Sequence, residues 1–134
     1  MIRIGIVEDD KLTARTIQHL CGEAFSEGAE TTSIRHFDRM VPALYYIQEN
    51  PIDLLILDIN LQGDSGFELL TRPEKPAFHT IIVSSESGNA VNAFDFGVLD
   101  FIVKPITRER FMAAIARMRS VESAQSQYKI SLPV

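Results

Sequence analysis

Several residues of this sequence that could do chemistry stand at the ends of short apolar runs. They are Glu8, Asp9, Asp10, Asp58, Ser84 and Lys104. We interpret Asp10 as a helix cap, because an acidic residue can accept hydrogen bonds from the free amides at a helix start. Two of the other carboxylates, placed about 4 Å apart, would repel by on the order of 4 kcal/mol at an effective dielectric constant near 20. Such a cluster must take up protons or bind a cation.

The chemistry that suits this set is phosphoryl transfer with a divalent cation. Oxygen ligands without nearby histidine or cysteine favour Mg²⁺, which stays partly hydrated and octahedral. A cation beside Asp58 serves a reaction in which the protein positions groups and neutralises charge. Asp58 would then be the carboxylate nucleophile that forms an acyl phosphate. Lys104 would supply a second positive charge, and Ser84 a hydroxyl donor.

The elements that must bring these residues together alternate between strand and helix. Uninterrupted apolar runs predict buried parallel strands at residues 2–7, 54–57, 81–83 and 101–103. A weaker, alternating run at residues 32–37 predicts an edge strand. Five βα units in series predict an α/β domain, with a doubly wound parallel sheet and helices on both faces. Because ligands bind at the carboxyl ends of such strands, the polar residues should converge on one site.

Helical periodicity separates the strands. The residues predicted to cap helix N-termini are Asp10, Asp38, Ser65 and Thr107. The first helix should bury a stripe of Leu12, Ile17, Leu20, Cys21 and Ala24, and the second a stripe of Met40, Val41, Leu44 and Ile47. Prolines should keep the third helix short, and a weak stripe near residues 90–97 indicates a fourth.

Five motifs, in order and at suitable separations, resemble the receiver domains of response regulators over about residues 2–120. They lie at residues 6–10, 57–61, 65–69, 82–85 and 100–105. The resemblance implies a flavodoxin-like fold with five parallel strands in the order 2-1-3-4-5.

The resemblance also implies a role for each residue of the site. Asp58 is the phosphoacceptor, and Lys104 and Ser84 are the catalytic residues beside it. The implied Mg²⁺ ligands are Asp9, Asp58, Glu8 through water, and Asn60 through its backbone carbonyl. The implied activities are Mg²⁺-dependent self-phosphorylation from a phosphodonor and autodephosphorylation, which fall short of those of an ordinary enzyme.

Further residues resemble the family's regulatory positions. Ser84 and Phe101 are implied to form the switch that senses phosphorylation. Asn60 and Glu86, each two residues past a site residue, are implied to tune the lifetime of the phosphoryl group. The bond between Lys104 and Pro105 resembles the family's cis peptide, which only proline forms at modest cost.

One loop departs from the family pattern, and one segment points to a subfamily. Gln62 stands where members usually carry proline, so we expect a looser loop there. Residues 90–101 resemble more finely the receivers of LytTR-type transcription factors. That likeness implies a receiver domain over residues 1–120, with residues 121–134 as a linker or the first strand of a DNA-binding output domain.

Composition sets limits on partners and location. The chain has 134 residues, a net charge of −5 and one cysteine, Cys21, which we expect to be a buried core residue in a reducing cytoplasm. No apolar run approaches the roughly 18–20 residues needed to span a membrane. The resemblance implies a sensor histidine kinase or phosphotransfer protein as partner, and DNA contact only through an output domain. We further predict a phosphorylation-dependent homodimer through residues 88–119.

Other phosphate-handling proteins fit less well. A haloacid-dehalogenase-type phosphatase needs a second aspartate two residues after the first, and Asn60 stands there. A flavodoxin needs a phosphate-binding loop after the first strand, where Glu8, Asp9 and Asp10 would repel phosphate. The alternative that stays open is a degenerate receiver, which acts as a protein-interaction module without phosphorylation.

Overall fold

A central parallel sheet organises the chain. The structure is a computed structural model, and it describes residues 1–26, 31–61, 64–65, 77–86 and 97–131. The strands are β1 (Ile2–Val7), β2 (Thr32–Phe37), β3 (Leu54–Asp58), β4 (His79–Ser84) and β5 (Asp100–Val103). All neighbouring strands pair in parallel, in the order β2-β1-β3-β4-β5. The predicted strand order is therefore confirmed, and β2 lies at an edge as its alternating sequence indicated.

Three helices flank the described sheet: α1 (Lys11–Ala24), α2 (Met40–Glu49) and α3 (Arg108–Ser131). The predicted third and fourth helices, and Gln62, lie outside the described residues. Ser65, the predicted cap of the third helix, belongs to a two-residue antiparallel pairing of Asn60–Leu61 with Asp64–Ser65.

Two of the predicted helix caps are confirmed and one is wrong. The backbone N–H of Thr13 donates to the Asp10 carboxylate at 2.9 Å, and that of Arg110 donates to the Thr107 hydroxyl at 3.2 Å. Asp38 does not cap α2, because the extended residue before the helix is Arg39, which makes no side-chain cap. The chain thus turns into the helix one residue later than predicted.

The sheet is buried on both faces, which explains its uninterrupted apolar runs. On one face, Ile4, Ile56 and Ile81 pack with Ile17 of α1 and Phe111 of α3. The other face forms a second cluster with α2, built on Val7, Leu57, Ile82, Met40 and Phe101. Strand residues alternate between the two clusters because successive side chains point to opposite faces of a sheet.

The predicted apolar stripes were each wrong at one position. Leu12 of α1 is 73% exposed and Val41 of α2 is 54% exposed, whereas Ala14 and Ala43 are buried. The buried stripe of each helix therefore includes its alanine, and Leu12 and Val41 fall on the outer side. Cys21 is buried as predicted, and its burial raises the pKa of the thiol to about 12.

The helix α3 continues through the segment that the sequence indicated to be a linker and a strand. It ends at Ser131, and its last fully buried side chain among the described residues is Met118. Residues 108–131 contain no glycine or proline and are rich in Ala, Gln, Glu and Arg, which favour helix. A domain boundary near residue 120 stays a prediction. None of the helices in the described part of the chain is long and apolar enough to cross a membrane.

Candidate functional site

The carboxyl ends of four strands bring the predicted site residues to one edge of the sheet. Glu8 directly follows β1, and Asp58 is the last residue of β3. Ser84 ends β4, and Lys104 directly follows β5. Because the strands are parallel and adjacent, these four residues lie at the same end of neighbouring strands.

Three carboxylates form the acidic part of the site. Glu8, Asp9 and Asp58 each offer a carboxylate oxygen within 4.8 Å of the others. Glu8 and Asp58 are buried, and Asp9 is half-buried. Asp10 stands apart from this group as the cap of α1. The structure therefore separates the acidic run after β1 into two residues at the site and one helix cap.

Lys104 bridges two of these carboxylates. Its ammonium Nζ lies 2.6 Å from Glu8 Oε1 and 3.2 Å from Asp58 Oδ2. Burial lowers the pKa of Lys104, but the close contact with Glu8 and the charges of Asp58 and Glu8 outweigh burial and raise the pKa above its ordinary value. Lys104 therefore stays charged at neutral pH.

The surroundings of Glu8 disfavour the charged form of its carboxyl. Burial and the neighbouring Asp58 raise its pKa from 4.5 to about 7, against the opposing effect of Lys104. Although Oε1 is close enough to Lys104 for an ion pair, the contact lacks the geometry of a hydrogen bond, and no other described residue supplies one. Its other oxygen accepts only a long hydrogen bond, 3.4 Å, from the backbone N–H of Asp10. The Lys104 ammonium is thus shared between two buried carboxylates.

Asp58 is held in one orientation from both sides. The backbone N–H of Asn60 donates to Oδ1 at 2.9 Å, and the Lys104 ammonium donates to Oδ2 at 3.2 Å. The side chain is 4% exposed. Its carboxylate is therefore oriented but nearly enclosed at the strand end.

Ser84 connects the site to its neighbouring loops. Its hydroxyl oxygen accepts hydrogen bonds from the Asn60 side-chain amide at 3.1 Å and from the backbone N–H of Glu86 at 3.0 Å. Its carbonyl accepts the backbone N–H of Lys104 at 2.8 Å. The sequence predicted a role for Asn60 at the metal and in the lifetime, but not this contact with Ser84.

The switch and cis-proline positions lie beside the site. Phe101 is 7% exposed and packs in the cluster on the α2 face of the sheet. The peptide bond between Lys104 and Pro105 is cis, the geometry expected from the sequence.

Sequence reasoning missed the role of Arg110, whose guanidinium binds the Asp100 carboxylate at 2.7 and 2.9 Å. Both residues belong to the stretch 88–119 through which the homodimer is predicted. The structure pairs them with each other within one chain. No local pattern signals this contact, because ten residues separate the partners.

A family model for the response regulator receiver domain matches residues 4–116. This chain belongs to that family. The match covers β2 to β5 completely and β1 from Ile4, together with the site at their carboxyl ends, so the receiver domain predicted from the sequence is confirmed. Members act in two-component signalling, and the acidic cluster described above occupies the carboxyl edge of this receiver domain.

Curated relatives of this receiver domain are regulatory proteins. The transcriptional regulatory protein MalR of Bacillus subtilis is 30% identical over 133 residues, which cover 96% of this chain and 55% of MalR. The sensory transduction protein LytT of Bacillus subtilis is 26% identical, over all of this chain and 58% of LytT. The chain thus spans little more than half the length of these relatives. LytT among them confirms the expected likeness to LytTR-type regulators.

A solved structure shares the fold of this receiver domain. The response regulatory domain of protein MrkE from Klebsiella pneumoniae matches with a TM-score of 0.78 at 23% identity, covering 90% of this chain and 97% of that domain. At this identity the likeness concerns the fold alone.

Proposed function

We propose that Asp58 of this receiver domain accepts a phosphoryl group and that Lys104, Ser84 and the acidic cluster make the transfer possible. The observation that carries the proposal is the position of the Asp58 carboxylate. It lies at a strand end, within 4.8 Å of two further carboxylates and 3.2 Å from an ammonium group. A carboxylate in this position can attack the phosphorus atom of a donor, and the ammonium beside it can offset the negative charge of the phosphoryl oxygens.

In the proposed transfer Asp58 is the nucleophile. One of its oxygens forms a bond to phosphorus, the bond from phosphorus to the donor's leaving atom breaks, and the leaving group keeps the bonding electrons. The Asn60 N–H orients the attacking carboxylate. Once Asp58 has become an acyl phosphate, the Lys104 ammonium can pair with a phosphoryl oxygen. The Ser84 hydroxyl has one proton besides the lone pairs it uses here, and that proton can turn to another oxygen.

The acidic cluster fits the Mg²⁺ that the transfer requires. Asp9 and Asp58 would bind it directly, Glu8 through water, and Asn60 through its backbone carbonyl. Glu8 Oε1 is buried with no hydrogen bond from the described residues, and an all-oxygen set suits a hard cation. When bound, Mg²⁺ supplies positive charge that offsets repulsion between these carboxylates and the incoming phosphoryl oxygens.

The lifetime of the phosphoryl group would depend on Asn60 and Glu86. Both are exposed at the edge of the site, and both hydrogen-bond to Ser84, Asn60 through its side chain and Glu86 through its backbone. Polar, exposed residues leave the path of an attacking water open. We therefore propose self-dephosphorylation within minutes.

The conformational effect of phosphorylation would pass from Asp58 through Ser84 and Phe101. When Ser84 moves toward a phosphoryl oxygen it vacates space that the Phe101 ring can enter, and phenylalanine has no hydroxyl to leave unsatisfied there. We propose that this favours a homodimer through residues 88–119, a shift of a pre-existing equilibrium. Because Asp100 and Arg110 already pair within the chain, the intermolecular pairs must use other charges, such as Glu109 and Arg117.

The proposed partners follow from the family and the relatives. A sensor histidine kinase or phosphotransfer protein would supply the phosphoryl group in the cytoplasm. Leu12, Pro105 and Ile106 line a groove of about 190 Å³ that also includes Lys104, so a partner seated there would reach the site. Because MalR is a transcriptional regulatory protein, we propose that transcription is the output, through a DNA-binding domain beyond the segment matched here.

The alternative, a receiver that acts without phosphorylation, has no observation in its favour among the described residues. Such a module would need none of the ion pairs that Lys104 makes. The contacts of Asp58 with Lys104 and Asn60 support the proposal that this site serves transfer.

Phosphorylation of Asp58 is tested with a small phosphodonor. The chain is incubated with acetyl phosphate and Mg²⁺, and mass spectrometry follows a gain of one phosphoryl group that alkali removes. Asp58→Asn should show no gain. Asp10→Asn is the matched control, because asparagine also caps helices, and it should react like the wild type. Equal labelling of the Asp58 variant would overturn the assignment.

A further inference from the structure

The guanidinium of Arg110 makes three hydrogen bonds to the strand that precedes Lys104. Two go to the Asp100 carboxylate, at 2.7 and 2.9 Å, and one goes to the carbonyl oxygen of Phe101, at 2.9 Å. The Asp100 carboxylate in turn accepts the backbone N–H of Phe101 at 2.8 Å. Arg110 and Asp100 together therefore satisfy both backbone groups of Phe101.

These bonds fix a strand that has one neighbour among the described residues. β5 pairs with β4, and no other strand of the described sheet lies on its far side. On that side, the Asp100 and Arg110 side chains make the hydrogen bonds to the β5 backbone that a neighbouring strand would otherwise make. Asp100 is buried, and although burial raises its pKa, the Arg110 hydrogen bonds outweigh burial and lower it. The pair is thus a partly enclosed, bidentate contact rather than a loose surface ion pair.

The same bonds join the two ends of the segment that carries Lys104, residues 100–110. Arg110 stands in the first turn of α3, where its own backbone N–H bonds to the Thr107 hydroxyl. Lys104 lies between the two ends of this segment, and its backbone N–H is bound to the Ser84 carbonyl. Its side chain crosses to carboxylates on β1 and β3. The position of its ammonium therefore depends on where β5 and the start of α3 are held.

We propose that Arg110 is a positioning residue for phosphoryl transfer, which holds β5 at its first two residues, Asp100 and Phe101, so that the Lys104 ammonium stays on Glu8 and Asp58. This inference rests on the proposed phosphorylation of Asp58. Arg110 itself touches neither the carboxylate cluster nor the phosphoryl group. Its bidentate geometry explains why arginine stands there, since lysine offers a single ammonium and cannot bind the carboxylate and the carbonyl in the same way.

Two measurements on Arg110→Gln test the proposal. The rate of phosphorylation by acetyl phosphate at saturating Mg²⁺ should fall about tenfold, since a small displacement of a positioned group is costly. The Mg²⁺ dissociation constant should stay within about twofold of the wild-type value, because the proposed ligands lie at the carboxyl ends of β1 and β3 and not on β5. Independently of the reaction, hydrogen exchange at the Lys104 amide should become about tenfold faster, while the amide of Leu57 in β3 keeps its protection.

Arg108→Gln is the matched control. It removes the same charge from the first turn of α3 and breaks an ion pair with Glu23, but it does not contact β5. It should leave the rate and the Lys104 amide unchanged. If circular dichroism shows that Arg110→Gln is unfolded, the same measurements are made on Arg110→Lys, which keeps a positive charge beside Asp100.

The outcomes separate the two claims. An unchanged rate and unchanged Lys104 exchange would overturn the role of Arg110, and so would an equal loss of Mg²⁺ affinity, which indicates general loosening of the site. If the wild-type chain takes up no phosphoryl group, the proposed function fails instead, and the exchange of the Lys104 amide still decides whether Arg110 positions this segment.

Discussion

Replacing Glu8 by glutamine should stabilise the metal-free protein at neutral and alkaline pH. In the folded chain the pKa of Glu8 is raised to about 7, first by burial and then by Asp58. In the unfolded chain the same carboxyl titrates near its ordinary value of 4.5. Between these values the folded state holds a proton that the unfolded state has released. The free energy of unfolding must therefore fall as pH rises from about 4.5 to about 7.

The size of the effect follows from the two pKa values. Each pKa unit corresponds to about 1.4 kcal/mol, so the complete shift is about 3 kcal/mol, lost by the time the pH has passed about 7. A glutamine side chain cannot ionise, so the Glu8→Gln variant should lack this loss. Other groups with shifted pKa values, such as Asp53 and Asp100, are unchanged in the variant and cancel in the comparison.

The assay is urea denaturation followed by circular dichroism, with chelator present, at about pH 5 and about pH 8. Wild type should lose stability between these two conditions relative to Glu8→Gln, and millimolar Mg²⁺ should restore part of the loss. Glu86→Gln serves as control, because Glu86 is exposed at the same edge of the sheet. If the free energy of unfolding changes equally with pH in wild type and in Glu8→Gln, the reasoning from the raised pKa of Glu8 is refuted.

Three further predictions concern metal, lifetime and output. Mg²⁺ should raise the melting temperature of wild type by binding the native state, and Asp9→Asn should remove this effect. If calorimetry shows the same melting temperature of wild type with and without millimolar Mg²⁺, the result counts against the site. Glu86→Arg should lengthen the life of the acyl phosphate several-fold by covering the path of water, and an unchanged decay rate would exclude that gating role. Beryllofluoride should increase the dimer fraction in light scattering at matched concentration, and Phe101→Ala should weaken that increase; a monomer under both conditions would remove the dimer proposal.

Local sequence patterns correctly predicted those features that depend on a single strand or helix. The uninterrupted apolar runs located four strands because a strand buried on both faces needs apolar residues throughout, and the alternating run located the edge strand β2. Asp10 and Thr107 were recognised as caps because a cap uses only a side-chain oxygen and amides of the next turn. The helix stripes were less accurate at Leu12 and Val41, because spacing gives the period of a helix but not how closely each turn approaches the sheet.

The sequence by itself determined which residue types end each strand, and with the rule that parallel strands end at one edge it determined that Glu8, Asp58, Ser84 and Lys104 meet. Only the tertiary structure decided how they share charge. The raised pKa of Glu8 depends on burial beside Asp58, and the contact between Arg110 and Asp100 depends on the packing of α3 against β5. Both arise because groups distant in sequence are brought within a few ångströms in a medium that screens charge less than water does.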